Sequence, residues 1–175
     1  MVTRLLSAAG ILAVALTIGG CGGKTEEERA GDILVSGGGA RERVSELAQK
    51  GVPHLQKLLE SKSARTRLVA ISALGELKGD KEATKLLLGL TESAESSDAY
   101  YALIALAHQG APEAKAMIEK FFEHSDPYLR QGACCAIGEY GEKALYPLLD
   151  QAMDDPDERV RQVAESIKTR FEIGM

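Results

Sequence analysis

The most reactive side chains in the sequence stand together at Cys134-Cys135. A thiol pair invites disulfide exchange or metal ligation, because the thiolate is both a nucleophile and a soft ligand. Neighbours in the chain hold their Cα atoms about 3.8 Å apart, however, below the roughly 4.4–6.8 Å that a disulfide spans. As ligands the pair lacks a second set of donors at useful spacing, although His108 falls near the same helical row one repeat earlier. Small core filler is the preferred reading, with a redox role as the alternative. His54, His108 and His124 are followed by Leu55, Gln109 and Ser125, and no Ser/His/Asp set can be assembled around them. Arg67, Arg130 and Arg161 could hold phosphate, but an Arg recurring one turn into the second helix is better explained by a bond to the capping Asp or backbone of the next unit. Gly37-Gly38-Gly39 has neither the Lys-Ser/Thr nor the preceding strand of a phosphate-cradling loop. No metal, cofactor or catalytic set is expected.

The elements that carry these residues are helical by composition. The chain has 175 residues, 45% hydrophobic and 27% charged, with 5% aromatics and no Trp. That excludes wholesale disorder and describes a core of Leu, Ile and Ala. Twenty-one Lys and Arg face 26 Asp and Glu, a net charge of −5. Such a balance makes a poor surface for polyanionic nucleic acid. Three Cys are too few for a disulfide framework.

The N-terminus places Arg4 before an uncharged run from Leu5 to Gly20. Sixteen helical residues span roughly 24 Å, short of the ~30 Å hydrocarbon core, so a cleaved signal is preferred over a membrane span. Ile18-Gly19-Gly20-Cys21 resembles the bacterial lipobox. The resemblance implies a signal over residues 1–20, diacylation of the Cys21 sulfur and acylation of the new amino group. Gly22 follows the Cys where the inner-membrane retention signal of enteric bacteria has Asp, which by resemblance implies the outer membrane, on its periplasmic side or the cell surface. Residues 21–39, with Glu26-Glu27-Glu28 and the glycine triplet, read as a flexible tether reaching roughly 25 Å.

From residue 40 to 175 the chain repeats. Gly51, Gly79, Gly110, Gly141 and Gly174 are spaced 28, 31, 31 and 33 residues apart, with two helical patterns between each pair. Registering the first helices puts Leu55, Leu86, Ile118 and Leu149 in one expected core column and Leu59, Leu90, Phe122 and Met153 in another. The second helices repeat Arg, paired Ala and aliphatic-Gly-Glu, as in Arg67 to Glu76 and Arg130 to Glu139. Asp126 and Asp157 stand four residues before Arg130 and Arg161, where a carboxylate can cap a helix, and Pro127 suits the first helical position. Gly79, Gly110 and Gly141 are expected to end helices in the left-handed conformation.

These features are similar to the HEAT repeat, in the short form named after phycobilisome lyases. The resemblance covers residues 40–174 as four units and a leading half-unit, and implies an all-α solenoid whose second helices line the concave side. Ala99 stands in place of the Arg and Glu95-Ser96 in place of Asp-Pro, so a continuous Asp/Arg ladder is in doubt there. Two enzyme classes with such repeats are not matched: deoxyhypusine hydroxylase needs His-Glu dyads, which this chain lacks, and bilin lyases act on cytoplasmic clients that an exported chain would not meet. HEAT-like DNA glycosylases need a basic groove, contrary to the charge here.

The concave surface is expected to present Leu68, Tyr100, Gln131 and Gln162 in one row and Glu76, His108 and Glu139 in another. Tyr100 and Tyr101 are the expected partner anchor, packing inside the solenoid being the alternative for one of them. The reading that follows is a lipid-anchored, non-catalytic scaffold of the cell envelope that binds another protein, with no nucleic acid or small-molecule substrate. The alternative is an auxiliary or chaperone-like factor with a redox or cofactor role at Cys134/Cys135.

Overall fold

Most helix starts in this chain are fixed by a polar cap or a proline. The computed structural model describes residues 40–173. The expected signal, Cys21, the tether and Gly174 lie outside them. Nine α-helices occur among the described residues: α1 (Ala40–Ala48), α2 (Val52–Leu59), α3 (Ala64–Glu76), α4 (Lys81–Leu90), α5 (Ser96–Gln109), α6 (Ala114–Phe122), α7 (Pro127–Tyr140), α8 (Tyr146–Ala152) and α9 (Glu158–Ile173). A single 3₁₀ turn, Lys143–Leu145, leads into α8. Ser63 Oγ accepts from Thr66 N–H at 3.3 Å to open α3. Asp80 Oδ1 accepts from Glu82 and Ala83 N–H at 2.9 and 3.0 Å to open α4. Asp126 Oδ1 accepts from Tyr128 N–H at 2.9 Å to open α7, with Pro127 in its first turn. Each such bond satisfies a donor that the helix itself cannot, a contribution of about 1 kcal/mol.

The helices pair as hairpins, α2 with α3, α4 with α5, α6 with α7 and α8 with α9. The most extensive contacts between units run from α3 to α5, α5 to α7 and α7 to α9, and α1 packs on α3 as a leading half-unit. Each first helix packs chiefly on its own second helix. The second helices therefore form a continuous, closely packed layer, while the first helices make few contacts with one another across units. Closer contact on one side favours a stack curved toward the second helices, and the fold is an all-α solenoid.

Small residues set the spacing. Ala70, Ala73, Ala102, Ala133, Ala136 and Ala164 are wholly buried. A Cβ added at Gly75 would stand 3.1 Å from Ala105 Cβ and 3.2 Å from its Cα, so α3 and α5 touch almost backbone to backbone. The equivalent Gly138 admits the Ile167 side chain of α9, whose Cδ1 would lie 2.9 Å from an added Cβ. The glycine of the aliphatic-Gly-Glu signature is thus a point of close approach between units.

Two expectations about the core are corrected. In the first helices the buried partner of Leu55, Ile118 and Leu149 lies three residues on, at Leu58, Phe121 and Ala152. Leu59, Leu90 and Phe122 are only half-buried and Met153 is 38% exposed, because a short helix packed on one neighbour has room for a single narrow apolar stripe. In α4 the stripe is carried by Leu87 rather than Leu86. The glycine assignment also needs one change. Gly110 and Gly141 are left-handed C-caps of α5 and α7, but α3 is capped by Leu77, and Gly79 (φ 79°) belongs to the turn before Asp80.

The close approach at Gly75 generates a paired prediction. Gly75→Val should destabilise by about 1–3 kcal/mol, since the obstructing atoms include backbone of α5 that cannot swing away. Gly89→Ala, on open helix surface with nothing within 4 Å, should stabilise by roughly 0.5–1 kcal/mol. Denaturant unfolding of both variants measures the contrast.

Candidate functional site

The inner layer carries two polar constructions, one along its edge and one along its face. At the edge, each repeated Arg turns back on the loop before its own helix. Arg67 Nη1 donates to the carbonyls of Ser61 (3.1 Å) and Lys62 (3.5 Å). Arg130 Nη1 does the same to His124 (2.8 Å) and Ser125 (3.1 Å), and Arg161 Nη1 to Asp155 (2.7 Å) and Pro156 (3.1 Å). The spacing of six and five residues is the same in all three.

The remaining guanidinium nitrogens reach the next unit. Arg67 Nε donates to Asp98 Oδ2 at 2.7 Å. Arg130 grips Asp155 through Nε and Nη2, both at 2.8 Å. In the unit without the Arg, Ser96 Oγ donates to Asp126 Oδ2 at 3.2 Å, so the inter-unit link survives there as a weaker, neutral donor. Asp98 is held on one side only, and its Oδ1 is buried with no hydrogen-bond partner among the described residues. Asp157 caps the start of α9 by accepting from Arg159 N–H at 2.9 Å, and the Arg159 guanidinium holds its carboxyl down at about 2. These Arg side chains are thus occupied with carbonyls and, for Arg67 and Arg130, carboxylates of the stack, and none of them offers an open phosphate cradle.

Along the face, the structure brings together one of the two expected rows and closes over much of the other. His108 stands between Glu76 and Glu139, its Nε2 3.3 Å from Glu76 Oε1 and its Nδ1 3.4 Å from Glu139 Oε2. Gln131 is half-buried and Gln162 exposed. Leu68, Tyr100 and Tyr101 are 6, 5 and 7% exposed, which corrects their expected place on an open surface. Gly132 is the reason for Tyr100: the ring lies across α7, with Cδ2 2.8 Å from where a Cβ on Gly132 would be. Tyr100 also stacks on Tyr128 at 4.5 Å and meets Tyr101 edge-on at 4.9 Å. Its hydroxyl is 3.3 Å from Cys135 Sγ.

The thiols are interior groups. Cys134 and Cys135 are free and buried. Burial pushes the Cys134 thiol up to about 12 and raises Cys135 as well, against the opposing bond from Tyr100. A thiol held neutral and shielded from solvent is a poor nucleophile and a poor ligand, which removes support from a redox role. Among the described residues, no group of three or more His, Cys, Asp or Glu is placed to hold a metal ion.

Sequence reasoning missed two structural side chains. Gln109 is buried, donates from Nε2 to the carbonyls of Leu77 (2.8 Å) and Leu74 (3.4 Å) at the end of α3, and accepts from Thr84 Oγ1 at 2.7 Å. Nothing in a single sequence distinguishes it from a surface Gln before a glycine. Tyr128 was legible only as a position in the first turn of α7, and its stacking depends on the absent side chain of Gly132.

The strap at Arg130 yields a signed prediction. Arg130 holds the Asp155 carboxyl below the usual range, chiefly by direct hydrogen bonding. A lowered carboxyl stabilises the fold above its unfolded value, about 3.9, and loses that contribution as the pH falls through the folded one. Arg130→Ala should therefore cost about 1.5–3 kcal/mol at neutral pH. The gap to wild type should narrow below about pH 4 in urea unfolding curves taken across the acid range.

With this geometry in view, the comparison with known proteins is direct. A family model described as HEAT repeats matches residues 83–168, from the first turn of α4 into the last turns of α9. No curated protein matches the chain. The hairpin unit recurs before that span in α2 and α3, joined to it by an Arg-to-Asp link of its own, so the chain carries HEAT-like repeats stacked as an α-solenoid.

Proposed function

We propose that the protein is a non-catalytic scaffold that binds another protein along its layer of second helices, and that it is held at the bacterial cell envelope by lipid on Cys21. The observation that carries the scaffold reading is the match of residues 83–168 to HEAT repeats, a unit commonly used for protein–protein interaction. A stack of this kind offers a long surface in which each unit contributes a few side chains, as a binding module requires. Gln131, Gln162 and Glu76 are polar groups that this face leaves open to a partner, and the inward packing of Tyr100 and Tyr101 favours polar recognition there.

The anchor rests on Ile18-Gly19-Gly20-Cys21 and the basic and apolar segments before it. Three acyl chains supply the two or more anchors that stable membrane residence needs. Among the described residues no helix is long and apolar enough to cross a membrane. The lipid is the proposed foothold, with residues 21–39 as spacer and the outer membrane as the default destination.

A photo-crosslinking residue at Gln131 or Gln162 should give adducts with a partner in intact cells, and one at Gln56 or Lys85 on the first helices should not. Adducts confined to the first helices would refute the assigned face. Metabolic labelling with palmitate should mark wild type and leave Cys21→Ser unlabelled.

A further inference from the structure

We propose that Arg161, the last of the repeated arginines, is a docking point for a side-chain carboxylate of a partner protein at the α9 end of the stack. The three arginines are built alike. In each, Nη1 donates to the carbonyls six and five residues earlier, at 3.1 and 3.5 Å for Arg67, 2.8 and 3.1 Å for Arg130 and 2.7 and 3.1 Å for Arg161. In the two inner units that grip turns the other edge of the guanidinium toward the next unit, where Arg67 Nε meets Asp98 and Arg130 Nε and Nη2 meet the two oxygens of Asp155. α9 is the last helix among the described residues, and among them Nε and Nη2 of Arg161 have no partner. A guanidinium keeps its charge, and its planar fork matches the two oxygens of a carboxylate.

The rest of α9 decides what kind of partner can approach. With Arg130 registered on Arg161, the buried Cys134 and the close-packed Gly138 of α7 correspond to Glu165 and Thr169 of α9, both exposed. A charged and a hydroxylic side chain there leave no apolar seat for a further hairpin, so a partner meets this end through polar groups. Arg161 specifies one of those groups. The inner units fill the same place with a carboxylate from the first turn of a helix, Asp98, or from the loop before one, Asp155. In a second copy of this chain those two carboxylates are already held by Arg67 and Arg130, which points to a different protein. Asp154, Asp155 and Asp157 belong to the loop that Arg161 binds, and their repulsion weighs about twice as heavily on a phosphate dianion as on a carboxylate.

The end site rests on the scaffold reading for its partner, but its first test uses acetate alone. Acetate is titrated at constant ionic strength into the full chain in detergent micelles, and the arginine Nε–H signals are followed by NMR. The Arg161 signal is the one missing from R161K. It should move saturably, with a midpoint about two- to tenfold below that of N-acetylarginine amide, because the side chain is already immobilised. The Arg67 and Arg130 signals should stay where they are. A midpoint no lower than that of the free amide, or one lower for methyl phosphate than for acetate, overturns the site and leaves the scaffold reading standing. Should R161K fail to fold, through-bond assignment of the wild-type signal serves instead.

The second test places a photo-crosslinking residue at Glu165, one turn beyond Arg161, in intact cells. Adducts should form with a partner segment that carries Asp or Glu, be lost in R161D, and return when that acid is changed to Arg. Adducts that survive R161D, or that join two copies of this chain, overturn the assigned occupant. Adducts at Gln131 with none at Glu165 overturn the end contact alone, whereas their absence at both positions overturns the scaffold reading with it.

Discussion

The solenoid depends on how near two second helices can come. At Gly75 and Ala105 they meet almost without side chains between them, and the wholly buried alanines of α3, α5, α7 and α9 keep the same spacing along the layer. Dispersion and apolar burial at such short range are what let helices of 13 to 16 residues persist, since helices of that length are marginal alone in water. The first helices are shorter and bury a single stripe each. They complete the core from outside without setting its geometry.

Polar groups then fix the register that apolar contact leaves open. Packing of small residues is tolerant of sliding, whereas the Arg67–Asp98 and Arg130–Asp155 pairs have one good geometry each. The same guanidinium also binds the turn before its own helix, so each Arg ties loop, helix and neighbour at one point. Asp98 shows the limit of the arrangement: gripped by a single nitrogen, it leaves one oxygen buried and unpaired. Such an atom costs about 1–3 kcal/mol, and the Ala99 unit is where the regular ladder is broken.

Much of this was readable from residue types and spacing. The repeat length, the alternation of first and second helices, the caps at Asp126 and Asp157 and the row Glu76, His108, Glu139 all follow from register, because each unit obeys the same local chemistry. What failed did so for tertiary reasons. The choice between Leu58 and Leu59, or Leu86 and Leu87, depends on a rotation of less than a third of a turn, which a period of 3.6 cannot settle in eight to ten residues. Aromatics mark interfaces, so Tyr100 and Tyr101 read as an anchor with inward packing as the alternative for one of them, and the missing side chain of Gly132 makes a recess one unit away that draws Tyr100 in. Gln109 had no signal at all. The thiols, by contrast, were legible as filler, since two adjacent Cys in an Ala-rich helix have little else to do.

The scarcity of contacts between first helices has a mechanical consequence. A band of close contacts along one side fixes the length of the molecule there, and the gaps along the other side can widen or shut without breaking that band. The chain is then hard to stretch and easy to flex, as a measuring tape is. Tension applied at one end would travel through the second helices from neighbour to neighbour, while the curvature could change through the outer gaps alone.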